Sequence, residues 1–224
     1  MRKAVGVLLV VLCAICIMHG PREAVAALGV DFSQSVDYEN GSALGSYPVV
    51  GWSFTPTTNL YLTALGLWDQ DVEKRHSENH LVGIWDANQN LLGSVSIAEP
   101  AGSPHNTVTG AYGAQYHFAN LNTALLLTQG SVYYVGATLY AQPGDYDAFA
   151  SFDSGAYFNQ YITFLGNAYQ TSSTNQLVFP GQVDTYSNYL FGANIDVTPV
   201  PVPAAIWLFG SGLAGVFLAK RRNR

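Results

Sequence analysis

Carboxylates are the side chains best placed for chemistry in this sequence. Asp69-x-Asp71-x-Glu73 sets three of them at alternate positions of a polar stretch. Hard oxygen ligands at that spacing suit Ca²⁺, which binds several carboxylate and carbonyl oxygens at once. A solvated acidic turn has the same pattern, and no glycine falls where an EF-hand loop needs one. His76-Ser77-Glu78-Asn79-His80 puts two imidazoles four residues apart around a carboxylate. The order is not H-E-x-x-H, and the segment does not read as a helix, so zinc is not expected. His80 is expected to cap or orient the start of a strand. Asp145 and Asp147, with Asp153 nearby, have the residue types of a glycoside hydrolase pair, and acidic turns explain them equally. No G-x-S-x-G nucleophile elbow and no P-loop occurs. The expectation is a non-enzymatic protein with no catalytic residue and no cofactor, calcium at Asp69, Asp71 and Glu73 being the one candidate.

The elements that must carry these residues read as β. Aromatic and β-branched runs are short, and turn residues punctuate them. Strands are expected over 49–55, 59–68, 80–86, 91–98, 116–121, 124–128, 131–141, 149–152, 161–165, 176–179 and 191–197. The 80–86 and 91–98 pair, joined by Asp-Ala-Asn-Gln-Asn, is the clearest hairpin. Residues 69–79 and 99–113 read as loops. In the last strand Phe191, Ala193, Ile195 and Val197 share one face, with Gly192, Asn194 and Asp196 on the other. Many short alternating strands predict an all-β, antiparallel sandwich or jelly-roll-like domain. Leu-Gly-Leu-Trp-Asp at 65–69 is echoed by Val-Gly-Ile-Trp-Asp at 82–86. The echo suggests two similar strands, neighbours in one sheet. Trp52, Trp68 and Trp85 lie inside apolar strands and are expected in the core. Tyr112, Tyr146, Tyr157 and Tyr169 are the better candidates for stacking on sugar rings.

The two ends are unlike the middle. Arg2 and Lys3 precede an apolar run from Ala4 to Met18, and Ala24-Val25-Ala26 offers a small-residue cleavage site. These are the three parts of a secretory signal peptide, residues 1–26. Cys13 and Cys16 both fall in its apolar run, so the mature protein would hold no disulfide and no thiolate site. At the other end Pro199, Pro201 and Pro203 impose an extended approach to an uncharged apolar run, 204–219. As a helix that run spans about 24 Å, at the short end for crossing a bilayer. Lys220, Arg221, Arg222 and Arg224 follow and would hold the C-terminus in the cytoplasm. The exported part, 27–198, is then one domain. It keeps two basic residues, Lys74 and Arg75, against fourteen acidic ones, a net charge of −12. Such a surface repels phosphate backbones, which excludes nucleic acid as a partner.

The tail also has a specific grammar. Val200-Pro201-Val202-Pro203-Ala204-Ala205 is followed by Trp207-Leu208-Phe209-Gly210-Ser211-Gly212-Leu213, then by Lys220, Arg221 and Arg222. This closely resembles the PEP-CTERM sorting signal of Gram-negative bacteria that make exopolysaccharide. The family's Pro-Glu-Pro is here Pro201-Val202-Pro203. The resemblance implies an exported protein, transiently anchored in the inner membrane and processed by an exosortase-type protease. It further implies delivery to the cell surface or extracellular matrix, with extracellular polysaccharide as a candidate partner. Leu65–Asp69, His80–Asp86, Leu91–Ser94 and Gly130–Ala137 also resemble a DUF4082-like cargo domain, for which a β-sandwich is implied and no activity.

Overall fold

Among the described residues of the computed structural model, sixteen strands follow one another. The structure describes residues 26–31, 39–40, 49–69, 79–97, 103–107, 115–139, 150–152, 157–170, 176–184 and 189–201. The strands are β1 (Ala27–Leu28), β2 (Val30–Asp31), β3 (Glu39–Asn40), β4 (Val49–Pro56), β5 (Leu60–Asp69), β6 (His80–Asp86), β7 (Leu91–Ile97) and β8 (Ser103–Thr107). They continue with β9 (Gln115–Leu127), β10 (Tyr133–Thr138), β11 (Ala150–Phe152), β12 (Tyr157–Phe158), β13 (Ile162–Gln170), β14 (Gln182–Asp184), β15 (Tyr189–Phe191) and β16 (Ala193–Pro199). A five-stranded sheet has the order β1-β16-β5-β9-β8, and a six-stranded sheet the order β14-β13-β4-β10-β6-β7. Two small sheets, β15-β11-β3 and β12-β2, complete the set. Every pairing is antiparallel. The fold class is the expected one: all-β, antiparallel and sandwich-like. Among the described residues there is no helix, and so none long and apolar enough to cross a membrane. Residues 1–25 of the expected signal peptide (1–26) and the apolar run 204–219 lie outside the described residues.

Alternation puts Val50, Trp52 and Phe54 of β4, Tyr133, Val135 and Ala137 of β10, and Val82 and Ile84 of β6 into one core. Leu60, Leu62, Leu65 and Leu67 of β5, and Ala193, Ile195 and Val197 of β16, fill it from the other sheet. All three tryptophans of the domain are buried, as expected. Trp68 meets Tyr116 edge-to-face at 5.1 Å. Burial pushes the Tyr116 phenol well above its ordinary pKa.

The second face of the six-stranded sheet is also covered, for a reason visible in its register. Ala168, Gly51, Gly136, Gly83 and Ser94 are successive partners across β13, β4, β10, β6 and β7. That row of minimal side chains is a shallow trough. Residues 176–180 lie against it: a Cβ on Gly83 would sit 2.9 Å from Leu177, and one on Gly136 3.3 Å from Pro180. Phe179 meets Tyr134 at 4.8 Å and Trp85 at 6.3 Å, both edge-to-face.

Several expectations need correction. Residues 176–179 are not a strand, because Leu177, Phe179 and Pro180 pack onto a sheet face rather than onto an edge. The 99–113 stretch holds a strand, β8, against the end of β9. Pro104 is tolerated there because β8 is an edge. Strands expected at 116–121 and 124–128 are one strand, β9. Its register to β5 jumps from Asn120 opposite Ala64 to Leu125 opposite Leu62. The four-residue excursion sends Leu121 and Leu125 toward Gly93 of β7, and so closes one side of the sandwich. The two Trp-Asp strands, β5 and β6, are not neighbours; they belong to opposite sheets. On the second face of β16, Asn194 is fully buried.

Candidate functional site at the exit of the domain

The most specific motif begins where the last strand ends, so the site is built from β16 outward. This strand lies inside its sheet, hydrogen-bonded to β1 on one side and β5 on the other. Ala27 is opposite Val197, Leu28 opposite Asp196, and Pro199 opposite Leu60. The domain's first and last residues therefore lie side by side.

Asparagines hold that junction. The Gly29 N–H donates to the Ile195 carbonyl at 2.7 Å. Beyond that rung the Asn194 amide takes over. Its Oδ1 accepts from the Val30 N–H at 3.1 Å, and its Nδ2 donates to the Val30 carbonyl at 2.8 Å. One primary amide thus reproduces a ladder rung where the strand backbone has turned away. From the other side, Asn159 Nδ2 donates to the Leu28 carbonyl at 3.1 Å, and the Asn159 N–H to the Gly29 carbonyl at 2.9 Å. Trp52 Nε1 donates to the Ala193 carbonyl at 2.8 Å. Asn159 and Asn194 were not singled out from sequence. The available signal was an amide set inside an otherwise apolar strand.

The remaining candidates fall as follows. Asp69 is the last residue of β5; Asp71, Glu73 and His76 lie outside the described residues. So do Asp145, Asp147, Asp153, Tyr112 and Tyr146. His80 is buried at the start of β6, where its Nδ1 lies 2.6 Å from the Thr138 carbonyl oxygen. A carbonyl only accepts, so Nδ1 carries the proton. Leu81 N–H donates to Thr138 Oγ1 at 2.9 Å, so the histidine and the threonine together pin the start of β6 to the end of β10. Tyr157 is exposed and Tyr169 half-buried. No group of three metal-binding side chains is assembled among the described residues. In the β6–β7 hairpin Asp86 Oδ1 accepts from the Asn88 and Asn90 N–H groups, and Asn90 Nδ2 donates to Oδ2, each at 2.9 Å. The Asn90 side-chain amide, followed by its backbone, lowers the Asp86 pKa from 3.8. This carboxylate is a turn lock. Of the sorting signal, Pro199, Val200 and Pro201 are described; Val202, Pro203, Ala204, Ala205, Trp207, Gly210, Ser211, Gly212, Lys220, Arg221 and Arg222 lie outside the described residues. No G-x-G-x-x-G was expected, yet Gly210, Gly212 and Gly215 have that spacing; it falls within the signal and follows an antiparallel strand, which is not the βαβ setting of a dinucleotide site.

Together these features define an exported β-domain that hands its chain directly to a C-terminal signal. Residues 199–222 match the PEP-CTERM protein-sorting motif. The motif implies export, transient membrane anchoring and exosortase processing. No curated protein and no solved structure matches the chain. The cargo-domain resemblance read between Leu65 and Ala137 is not confirmed by a family match.

Proposed function

We propose that the protein is a non-enzymatic component of the surface or extracellular polysaccharide matrix of a Gram-negative bacterium. The sorting signal delivers it there and exosortase then processes it. One observation carries the reading: Pro199 is both the last residue of β16 and the first of the matched motif. The fold and the address share a residue, so the β-domain is built as cargo with no intervening module. An exported domain of net charge −12 suits neutral glycans or bound cations better than polyanions. Calcium at Asp69, Asp71 and Glu73 belongs to the same reading, as does contact with extracellular polysaccharide through exposed tyrosines such as Tyr157. The test is the intact mass of protein recovered from cell envelope and medium. Loss of roughly the first 26 residues and of the segment after about Pro203 is expected. Retention of Trp207 through Arg224 would overturn the sorting reading. Binding of the released domain to the producer's own polysaccharide, with and without EDTA, tests the matrix role.

A further inference from the structure

The register of the two large sheets places the ends of their long strands at one of two ends of the sandwich. At the end where the chain enters at Ala27 and leaves at Pro199, the connections are 57–59, 87–90, 128–132 and 159–161. None of the four contains Asp, Glu, Lys or Arg. The one charged residue at a strand terminus there is Asp86, whose oxygens are engaged by Asn88 and Asn90. The connections leaving the opposite strand ends, 70–79, 98–102 and 140–149, carry Asp71, Glu73, Glu78, Glu99, Asp145 and Asp147, together with Lys74 and Arg75. The domain is thus electrically lopsided. Exposed apolar side chains are present at the uncharged end. Tyr61 and Leu126 are register partners at the uncharged end, 40% and 54% exposed. Leu91 and Leu92 open β7 at that end and are 50% and 37% exposed.

Chain length says what such an end meets. Four residues, 200–203, separate Pro199 from the apolar run that starts at Ala204. In an extended proline-rich form they reach about 12 Å. That is about one and a half times the screening length of about 8 Å at physiological salt, so repulsion between an acidic surface and anionic lipid is weakened there but not abolished. A domain held so near a bilayer must present a face that tolerates the headgroups. Tyrosine and leucine among neutral amides meet that need, since amphipathic aromatic rings favour the membrane–water interface.

We propose that this uncharged end, marked by Tyr61, Leu91, Leu92 and Leu126, seats on the lipid headgroup surface while the chain is tethered by its C-terminal segment. The inference rests on the tethered state proposed above.

The test uses the full chain, with Cys13→Ser and Cys16→Ser, reconstituted into phosphatidylethanolamine–phosphatidylglycerol vesicles free of protease. An environment-sensitive fluorophore is attached in turn to Gln129→Cys at the uncharged end and Ser96→Cys at the other. Shallow spin-labelled lipid is expected to quench the first and spare the second. Adding charge as Tyr61→Glu with Leu126→Glu is expected to abolish the quenching while the chain still floats with vesicles and keeps its near-ultraviolet spectrum. Equal quenching at both sites, or none at either, in chains that float would overturn the seat. Chains that fail to float would sink the tethered reading and the seat together.

Discussion

Replacing Asn194 by alanine tests the central structural argument most directly. The amide is fully buried and satisfies both backbone groups of Val30, at 3.1 and 2.8 Å. Val30 is itself fully buried, so water cannot take over without opening the core. Each orphaned buried group costs about 1–3 kcal/mol, so losing the pair is expected to cost about 3 kcal/mol or somewhat more. For a domain of this size that corresponds to a fall in Tm of about 6–12 °C. The assay is thermal unfolding of the full chain in mild detergent, followed by near-ultraviolet circular dichroism. Trp52, which donates to the neighbouring Ala193 carbonyl, serves as reporter. A fall below about 2 °C would refute the claim that this amide stands in for a ladder rung. Asn194→Asp sharpens the test. A carboxylate there can accept from the Val30 N–H, and only its protonated form can donate to the carbonyl. Burial raises the pKa of such a group above its unfolded value of about 3.9. The variant should lie nearest to the wild type below about pH 4 and fall behind as pH rises. A flat difference between the two across that range would count against the geometry.

Further outcomes follow from the sheet and its hairpin. Gly51→Ala is expected to prevent folding or cost more than about 3 kcal/mol, because the new Cβ runs into the Val135 carbonyl oxygen and lies 2.6 Å from Gly136 Cα, backbone atoms that cannot swing aside. Gly83→Ala meets side chains of Trp85 and Leu177 instead, at 2.8 and 2.9 Å. It is expected to cost about 1–3 kcal/mol and to raise protease cleavage near 176–180. Gln89 holds φ at 68° in the β6–β7 turn, so Gln89→Gly should stabilise by up to about 1 kcal/mol in denaturant titration. The Asp86 pKa is lowered from 3.8, so its contribution is present above that value and lost as pH falls through the folded pKa. The stability gap between wild type and Asp86→Ala should therefore shrink on acidification.

Period-two patterning made much of the fold legible. The β6–β7 hairpin was readable because Asp-Ala-Asn-Gln-Asn separates two apolar runs, and Asp86, Asn88 and Asn90 lock the turn by hydrogen bonds. What escaped were places where a residue's partner is distant in sequence. Asn194 looks solvent-facing by alternation, and only the approach of Val30, 164 residues away, makes it a buried bridge. Leu177 and Phe179 look like strand residues, and only the glycine row beneath them explains why they lie flat on a face. The tail was legible for the opposite reason. A sorting motif is read as a linear string by a processing enzyme, so its order of elements carries meaning without a fold. The carboxylates at 69–73 and 145–153 depend on loop geometry, which alternation does not encode.

The junction also constrains when the domain can fold. β16 sits between β1 and β5, and Ile195, at its centre, is fully buried. A sheet lacking an interior strand leaves two edges unpaired and its core open. Closure of the five-stranded sheet therefore waits for residues up to Pro199, where the sorting signal begins. The pairing of Ala27 with Val197 joins the two ends of the domain, so its loop-closure entropy is met late and all at once. In an exported chain that order is useful. A chain exported in extended form could complete its five-stranded sheet only once residues up to Pro199 have emerged. A chain ending at Gly192 should then remain unfolded by circular dichroism, whereas one ending at Pro203 should fold. Cooperative unfolding by the shorter chain would show that the sheet closes without β16 and would remove the coupling between folding and sorting.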